Sequence, residues 1–510
     1  MPRKLRILMS TMLQLEWRIT NSRSLRRIPD LEGLGSRTDI QAKKVGADWP
    51  PESCACDVPA HTYQFAWEPN TRWSKFYAPA PEICEYLNRV VDKHGFRKYM
   101  RFNHRVVHAE WKEESSIWRV ELQTTNDAGH LTTVIRECDV LVRDVGALNA
   151  WKYPEVEGLL NFKGVLMHTA AWDDSVDLTG KSVAVIGNGA SAVHCGENVK
   201  LHAYGFVDAA TPVFRRRDTQ EQMERFENDP EYYFEYRRKL EINLASGFEA
   251  LWRGTAAQDQ IRDTTINHMR KAIKDEKMLR ALIPDFEVGC RRFTPGDHYL
   301  NALQQDNCDM ISDHIVRVTE TGITDVTGKT RDVDVIICAT GFDTSYEPRF
   351  PVIGKDGFSL AENWGMDKPT ESYMGAMVAR FPNFFVFNPP ICPVIGSAFP
   401  GIASTSHYIV RLLDRLQHDA LKSINVKDSA QARFNEWAQH RMKEMAFSGN
   451  CKSWYKNTKG KVFIPWPGTI SHFVATTEFI RWEDFEYVWE QGNKYASLGN
   501  VVTKLGLVPI

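Results

Sequence analysis

Residues Phe162–Val193 read FKGVLMHTAAWDDSVDLTGKSVAVIGNGASAV and indicate the fold class. The second half of this stretch runs from the apolar, β-branched residues VAVI directly into the turn GNGASA. A strand, a tight turn and a helix start in this order are typical of a Rossmann dinucleotide site, although the glycines alone also occur in ordinary loops. Gly187 permits the turn, Gly189 lets the backbone approach a pyrophosphate, and Ala192 allows the helix to pack close to the strand. We therefore expect a dinucleotide diphosphate at the N-terminus of this helix.

The first half of the stretch carries a second pattern, Phe162-x-Gly164-x-x-x-His168-Thr169-x-x-Trp172. It resembles the fingerprint F-x-G-x-x-x-H-T-x-x-W of Baeyer–Villiger monooxygenases, which stands just before their NADPH-binding Rossmann motif. Every fixed position of that fingerprint is present. The resemblance implies that His168 and Trp172 couple the domains rather than transfer protons. The alternative is a linker whose histidine and tryptophan simply pack between domains.

The segment CACDVPAH at 54–61 is similar to the C-D-V-P-x-H segment of the same enzymes. The resemblance implies that Asp57 faces the flavin and holds a catalytic arginine. Without the resemblance, Asp57 could equally be a residue that caps a turn. The residues that the resemblance assigns to FAD in this region are Ala55, Cys56, Asp57, Val58 and Tyr63.

Three later segments extend the resemblance. VGCRRFTPGD at 288–297 contains a basic pair, and the catalytic arginine of the family matches Arg292, with Arg291 as the neighbouring alternative. Taken alone, this pair would be a surface pair before a turn. The segment DVIICATGFD at 334–343 is similar to the ATG motif, where the chain returns to the FAD domain. The further cofactor residues implied are Val106, Thr340, Gly341 and Asn388.

The choice of nicotinamide nucleotide depends on the region after the turn motif. Arg215 and Arg216 follow a predicted strand at 211–214, and arginine there suits the 2′-phosphate of NADP. Asp208, about twenty positions after Gly187, keeps NAD as an alternative, and the arginines also fit a solvated face. The motif residues assigned to the nucleotide are Gly187, Asn188, Gly189, Ala190, Ser191, Ala192 and Val193.

Composition limits the function class. The chain has 510 residues and a net charge of −2, so no basic surface points to nucleic acid as a partner. Four prolines interrupt the apolar region 384–403, so we expect no stable membrane insertion. Ten scattered cysteines without a C-x-x-C pair predict free thiols and a reducing, cytoplasmic location. A mitochondrial presequence remains an alternative for the basic N-terminus, and the sequence predicts no oligomeric state.

The resemblance implies an α/β fold of two Rossmann-like domains, for FAD and NADP, with a helical insertion that covers the substrate cleft. The first FAD βαβ unit is expected to be missing, because no G-x-G-x-x-G follows a strand in residues 1–46, and Gly33-x-Gly35 does not fit that motif. The expected boundaries are 1–150 for the first, incomplete part of the FAD domain, 151–217 for the first part of the NADP domain, 218–285 for the insertion, 286–341 for the second part of the NADP domain, and 342–510 for the second part of the FAD domain with the C-terminal region.

The implied activity is that of a FAD- and NADPH-dependent Baeyer–Villiger monooxygenase. Such an enzyme inserts one oxygen of O2 next to a ketone carbonyl and gives an ester or lactone, here on a polyketide or terpenoid intermediate. One alternative is a flavin monooxygenase that oxygenates nitrogen or sulfur, or a pyridine nucleotide–disulfide reductase. Another is a catalytically impaired NADP-binding protein, because the FAD diphosphate motif is not recognisable.

Overall fold

The computed structural model describes residues 5–10, 31–34, 55–125, 129–146, 148, 150–173, 175–193, 200–204, 210–211, 218–292, 294–490, 492 and 494–495. The strands in this part of the chain, numbered in order, are β1 Ile7–Ser10, β2 Leu31–Leu34, β3 Met100–Arg101, β4 His104–Lys112, β5 Ile117–Thr125, β6 Leu131–Cys138, β7 Val140–Arg143, β8 Val165–His168, β9 Ser182–Ile186, β10 Lys200–Tyr204, β11 Ala210–Thr211, β12 Thr294–Pro295, β13 Cys308–Ile311, β14 Ile315–Val318, β15 Gly322–Asp325, β16 Thr330–Asp332, β17 Val335–Cys338, β18 Val352–Ile353, β19 Phe384–Val386, β20 Leu421–Val426 and β21 Phe485–Trp489.

The α-helices of the same residues are α1 Ala80–Lys93, α2 Ala190–Val193, α3 Gln220–Asn228, α4 Pro230–Ser246, α5 Ala256–Ala272, α6 Glu276–Leu282, α7 Asp297–Ala302, α8 Leu360–Asn363, α9 Ala398–His418, α10 Asp428–Met442 and α11 Ile470–Thr477. The sequence predicted the helix at 81–94, which corresponds to α1, and the strands near 104–111 and 118–124, which correspond to β4 and β5. The helix predicted at 406–417 is longer in the structure and begins at Ala398.

The first five-stranded sheet has the order β19-β7-β1-β2-β3, and all its neighbouring strands pair in parallel. The first strand in the chain is therefore central, as in a Rossmann sheet. The first βαβ unit was expected to be missing from residues 1–46. Of these residues the structure describes 5–10 and 31–34, which contain the paired strands β1 and β2. Gly33 lies within β2 and not in a turn before a helix. Residues 11–30 and 35–54 lie outside the described residues.

The second five-stranded sheet has the order β13-β10-β9-β17-β8 and is also parallel throughout. β9 and β17 are neighbours near its centre, and their residues 183–186 and 335–338 are all buried. Buried central strands of a parallel sheet are covered on both faces, which explains their continuous apolar sequences. The carboxyl ends of β9 and β17 therefore bring the turn motif and the ATG segment to the same edge of the sheet.

The helical region between the two halves of the second sheet contains α3, α4, α5 and α6, which confirms the helical pattern at 218–285. Each helix is preceded by an N-cap residue whose side chain accepts a hydrogen bond from a backbone N–H group of the first turn. These capping residues are Thr219, Asp229, Thr255 and Asp275. Such caps satisfy the free N–H groups of a helix N-terminus. Among the described helices, none is long and apolar enough to cross a membrane.

The cysteines correct one expectation. Cys290 and Cys451 form a disulfide, and their Cα atoms lie 6.2 Å apart. The prediction of free thiols is therefore wrong for these two residues. They are separated by 161 positions in the chain, so their spacing gave no sign that folding places them within bonding distance.

Candidate functional site

The predicted strand, turn and helix occur as β9, residues 187–189 and α2. Gly187 has a φ of +107°, and a Cβ atom at this position would lie 2.4 Å from the carbonyl oxygen of Ala339. Only glycine fits such a close approach to the end of β17. The side chain of Asn188 is buried and accepts a hydrogen bond from the hydroxyl of Tyr299, which holds the turn in place. Ala192 is buried against the sheet, as its small size predicted.

The histidine of the fingerprint lies where the chain crosses between the two sheets. His168 is fully buried at the end of β8, and its ring stacks on Trp151 with centroids 4.6 Å apart. Its Nε2 lies 3.4 Å from the hydroxyl of Thr340. Close by, the N–H of Asp343 donates to the carbonyl of Ala150 at 2.7 Å, which ties the two crossing segments together.

Burial lowers the pKa of His168, and a hydrogen bond to the backbone of Gly341 only partly opposes this. A histidine that is neutral near pH 7 and enclosed by packed groups suits a structural joint between domains. Trp172, the other aromatic of the fingerprint, is half-buried and packs against the core of the second sheet. The coupling role of these two residues stays a prediction.

The predicted catalytic pair is brought together across the fold. The Nη2 of Arg292 lies 2.8 Å from Oδ2 of Asp57, and the two side chains are 34% and 30% exposed. Burial acts to lower the pKa of Arg292, but the neighbouring Asp57, Tyr455 and Tyr63 outweigh it and raise the pKa above its usual value. Arg292 is therefore a fixed cation that remains reachable from solvent. Arg291 points elsewhere, because its Nε donates to the carbonyl of Lys452 at 2.7 Å.

Backbone contacts hold the segment around Asp57. Ala55 forms a bridge with Pro79, and the N–H of Cys56 donates to the carbonyl of Ala78 at 3.0 Å. The thiol of Cys56 donates to the carbonyl of Val58 at 3.1 Å, and burial raises its pKa to about 12. These contacts hold the backbone on both sides of Asp57 and keep the neighbouring thiol protonated.

Tyr63 and the buried Val58 are the other two residues of this segment that were assigned to FAD. The ring of Tyr63 packs edge-on against Phe399 at the start of α9, with centroids 5.1 Å apart. Burial, together with the nearby Asp57 and Cys56, raises the pKa of Tyr63, although Arg292 opposes the rise. The tyrosine is therefore a neutral hydroxyl beside the ion pair.

A buried hydrogen-bond network at His61 was not predicted from the sequence. Nε2 of His61 lies 2.7 Å from Oδ2 of Asp218, and its Nδ1 lies 2.7 Å from the hydroxyl of Tyr233. The amide of Gln64 also donates to the hydroxyl of Tyr233 at 2.8 Å, and Nε of Arg237 donates to the carbonyl of His61 at 3.0 Å. The network connects the segment just after Asp57 to the helical insertion. The fixed histidine of C-D-V-P-x-H was the signal that could have indicated it.

The disulfide lies next to the ion pair. Cys290 stands two residues before Arg292, and Cys451 stands four residues before Tyr455, one of the groups that raise the pKa of that arginine. Lys456 fills the space beside the sulfurs, and its ammonium group donates to the carbonyls of Gly449 and Cys451. The disulfide thus joins the two segments that flank the guanidinium.

The remaining predicted site residues are not in this group. Val106 is half-buried in β4 and packs against the core under the four-stranded sheet β18-β4-β5-β6. The carbonyl of Asn388 accepts a hydrogen bond from the hydroxyl of Tyr346 at 3.0 Å. Ser191 is half-buried within α2. The side chains of Ala190 and Val193, and all of Asp208, Arg215 and Arg216, lie outside the described residues, so the choice between NADP and NAD stays a prediction.

Comparison with known sequences identifies the class. The chain is 35% identical over 483 residues to the FAD-binding monooxygenase tazF of Aspergillus terreus, covering 90% of this chain and 85% of the relative. It is 34% identical over 476 residues to the FAD-binding monooxygenase moxY of Dothistroma septosporum, covering 89% and 76%. A Baeyer–Villiger monooxygenase of Pseudomonas aeruginosa is 32% identical over 446 residues, covering 85% and 83%. No protein-family model matches the chain.

Solved structures agree on the fold. Cyclohexanone monooxygenase from Rhodococcus sp. Phi1 bound to NADP+ superposes with a TM-score of 0.79 at 21% identity, covering 96% of this chain and 100% of that chain. Oxidised steroid monooxygenase bound to NADP gives a TM-score of 0.77 at 22% identity, with coverages of 96% and 100%. These likenesses confirm the fold class of two Rossmann-like domains.

The chain therefore belongs to the family of FAD-binding monooxygenases that includes the Baeyer–Villiger monooxygenases. It is a flavin-dependent monooxygenase, as the fingerprint at 162–172 predicted.

Proposed function

We propose that this protein is a Baeyer–Villiger monooxygenase that inserts one oxygen atom of O2 next to the carbonyl group of a ketone and releases an ester or a lactone. The observation that carries the proposal is the ion pair between Arg292 and Asp57. A guanidinium stays protonated at any physiological pH, and its planar donors can stabilise negative charge that develops on oxygen. Asp57 holds this cation in place through a charge-assisted hydrogen bond.

FAD is the flavin cofactor of the family, and we propose NADPH as the reductant. FAD, once reduced, supplies the activation of dioxygen. The turn at Gly187 fits the diphosphate of a nicotinamide nucleotide, because it connects the buried strand β9 to the N-terminus of α2. The proposed nucleotide residues are those of the turn motif at 187–193, the pair Arg215 and Arg216, and the joint formed by His168, Trp172, Thr340 and Gly341.

The residues around the ion pair and the proposed flavin site have different tasks. The backbone at 55–58 and the hydroxyl of Tyr63 bind the flavin beside the ion pair, and Val106 and Asn388 contribute backbone contacts. Arg292 orients the reacting oxygen and holds it anionic. Cys56 takes no part in proton transfer, since its thiol stays protonated.

The domain boundaries fit the two sheets. The strands of the first sheet come from 7–143 and 384–386, which supports an FAD domain made of 1–150 and 342–510. Those of the second sheet come from 165–338, which supports an NADP domain made of 151–217 and 286–341 around the insertion. We also propose a polyketide or terpenoid ketone of secondary metabolism as substrate, and the support is the similarity to the fungal monooxygenases.

The experiment that tests the proposal compares two neighbouring arginines. Arg292→Ala removes the cation from Asp57, so ester formation should fall about 100- to 1,000-fold, the usual effect of losing one stabilising donor. Arg291→Ala is the matched control, because it deletes the same charge one residue away, and it should stay within about fivefold of the wild type. The measurement is ester or lactone formed per NADPH consumed, by gas chromatography with a panel of ketones.

Three results would contradict the proposal. Equal losses in the two variants would remove the special role of Arg292. Oxygenation of amines or sulfides, with no ester from any ketone, would favour the alternative flavin monooxygenase. A protein that takes up no FAD would favour the catalytically impaired alternative.

A further inference from the structure

The first sheet has its topological switch point between β1 and β7. From β1 the chain continues to β2 and β3 on one side, whereas β7 and β19 lie on the other side. In an open parallel sheet, a ligand binds beyond the carboxyl ends of the strands at such a point. Arg143 is the last residue of β7, and it is paired with Ser10 of β1 and Val386 of β19. Its backbone therefore lies in the middle of the edge where a dinucleotide is expected.

The side chain of Arg143 is a buried cation without an acceptor. Only 7% of the residue is exposed, and its guanidinium carbon lies 5.3 Å from the ring centroid of Trp364. Within the described residues, the guanidinium forms no hydrogen bond and no ion pair. A charge taken out of water is costly unless a partner satisfies it. The missing partner is therefore expected to be a bound ligand.

The guanidinium of Arg143 is not sealed inside the protein. The indole nitrogen of Trp67 is an example of a sealed group, because it is fully enclosed and has no hydrogen-bond partner. None of the nitrogens of Arg143 is enclosed in this way, so they border space that a ligand atom can enter. Tyr346, which is close enough to act on the charge of Arg143, donates its hydroxyl to the carbonyl of Asn388, two residues beyond the end of β19. The side chain of Arg143 thus stays near the carboxyl edge of the sheet.

The charges around Arg143 favour an anion. Burial lowers the pKa of Arg143 to about 10, and the nearby Arg349 acts in the same direction, so the guanidinium remains protonated at neutral pH. Asp144, the next residue in the chain, opposes this change only weakly. The planar donors of a guanidinium bind phosphate oxygens in pairs. A phosphate group is therefore a suitable partner.

The sequence after β1 gives a reason why a side chain is needed at this point. In a Rossmann sheet, a glycine-rich turn after the first strand lets backbone N–H groups approach the diphosphate of the nucleotide. Residues 11–30, which follow β1 in the chain, contain no glycine. A side-chain cation in the same crevice can supply the positive charge that the two phosphates require.

We propose that Arg143 binds the diphosphate group of FAD in the crevice between β1 and β7. The inference rests on the proposed function, in which the first sheet belongs to the FAD domain. It explains how the chain can hold FAD without a G-x-G-x-x-G motif after its first strand.

The test measures FAD binding by the full chain after its flavin has been removed, with isothermal titration calorimetry. Arg143→Met deletes the charge and keeps a long unbranched side chain. The dissociation constant of FAD should rise about 10- to 100-fold, the effect of losing charge-assisted hydrogen bonds. Arg143→Lys keeps the charge without the planar donors, so it should recover part of the lost affinity.

Arg380→Met is the matched control. Arg380 is exposed, precedes β19 at the opposite edge of the same sheet, and pairs with Asp428 at 3.2 Å. The same charge is therefore deleted away from the crevice, and the dissociation constant of FAD should stay within about twofold of the wild-type value. Equal losses of affinity in Arg143→Met and Arg380→Met would overturn the assignment.

Thermal unfolding of the flavin-free proteins separates a binding role from a structural one. Flavin-free Arg143→Met should unfold at the wild-type temperature or above it, because methionine replaces a buried charge that has no partner in the chain. A lower unfolding temperature would show that Arg143 stabilises the fold itself, and this result would overturn the assignment.

Two further measurements identify the group that Arg143 binds. At saturating FAD, the visible absorption bands of the flavin should coincide in the wild type and in Arg143→Met, because the charge acts on the diphosphate and not on the ring. The dissociation constant of NADP+ should also stay the same. Shifted flavin bands, or a loss of NADP+ binding in place of FAD binding, would overturn the assignment.

Product analysis separates this inference from the proposed function. If Arg143→Met binds FAD as tightly as the wild type and the FAD-loaded wild type forms esters, the role of Arg143 is refuted and the monooxygenase function stands. If FAD binding depends on Arg143 but no ketone yields an ester, the diphosphate site is supported and the proposed reaction is refuted. Wild-type protein that takes up no FAD would refute both.

Discussion

The turn at Gly187 offers a sharp prediction, because the chain contains a matched control seven residues earlier. Gly180 and Gly187 both have a positive φ, at +70° and +107°. A Cβ atom at Gly180 would meet nothing within 4 Å, whereas at Gly187 it would lie 2.4 Å from the oxygen of Ala339. Alanine at either site pays the cost of a left-handed backbone, and only at Gly187 must it also displace the end of β17.

The expected losses of stability follow from these two costs, the left-handed backbone and the contact with Ala339. Gly180→Ala should destabilise the folded protein by about 1–2 kcal/mol, the usual cost of a side chain at positive φ. Gly187→Ala adds an overpacking cost of about 1–3 kcal/mol, since real Cβ atoms do not approach backbone oxygen below 3.0 Å. The displaced turn should also lose its affinity for the diphosphate of NADP+.

Thermal unfolding with and without NADP+ measures both effects. The wild type and Gly180→Ala should be stabilised by saturating nucleotide, because ligand that binds only the folded state raises its stability by mass action. Gly187→Ala should unfold at a lower temperature and show no stabilisation by NADP+. If the two variants unfold at the same temperature and respond equally to NADP+, the close approach of Gly187 to Ala339 is needed neither for stability nor for nucleotide binding.

Three further predictions concern single groups. His61→Ala removes the buried hydrogen bonds to Asp218 and Tyr233 and should lower the free energy of unfolding by about 2–5 kcal/mol in urea. The exposed His314→Ala should change it by about 0.5 kcal/mol or less, and equal effects would refute the buried network. The hydrogen bond from Arg331 lowers the pKa of Asp325 to about 2. Because the pKa of an unfolded Asp is about 4, this interaction stabilises the folded state fully above pH 4, and the stabilisation is lost as the pH falls towards 2. The melting temperature of Asp325→Asn should therefore decline less than that of the wild type over this acid range, and a steeper decline would contradict the assignment. Burial raises the pKa of Cys56 to about 12, so iodoacetamide should label it at neutral pH only after unfolding, and rapid labelling of the native protein would be the contrary result.

The parts of the fold that could be predicted from sequence are those with local causes. The alternation of apolar runs and glycine turns placed β9, β17 and α1 correctly, because each depends on neighbouring residues. The return of the chain at Thr340 and Gly341 was predicted from a motif that spans ten positions. The pairing of Arg292 with Asp57 was implied by family resemblance, and the structure brings the two side chains together.

The features that could not be predicted depend on contacts between distant segments. His61 and Asp218 are 157 positions apart, and Asn188 and Tyr299 are 111 positions apart. Neither pair has a spacing pattern, because tertiary packing alone brings the groups together. The disulfide was missed for the same reason, and scattered cysteines supported the opposite prediction.

Turnover of a ketone under dioxygen enriched in the heavy oxygen isotope tests directly whether the protein is a Baeyer–Villiger monooxygenase. The FAD-loaded protein is supplied with NADPH and ketone, and the product is analysed by mass spectrometry. We expect an ester or lactone that carries one heavy oxygen atom, with the heavy atom in the bridging position and the carbonyl oxygen retained from the ketone. Product without the label, or NADPH consumption that yields only hydrogen peroxide with every ketone supplied, would contradict it.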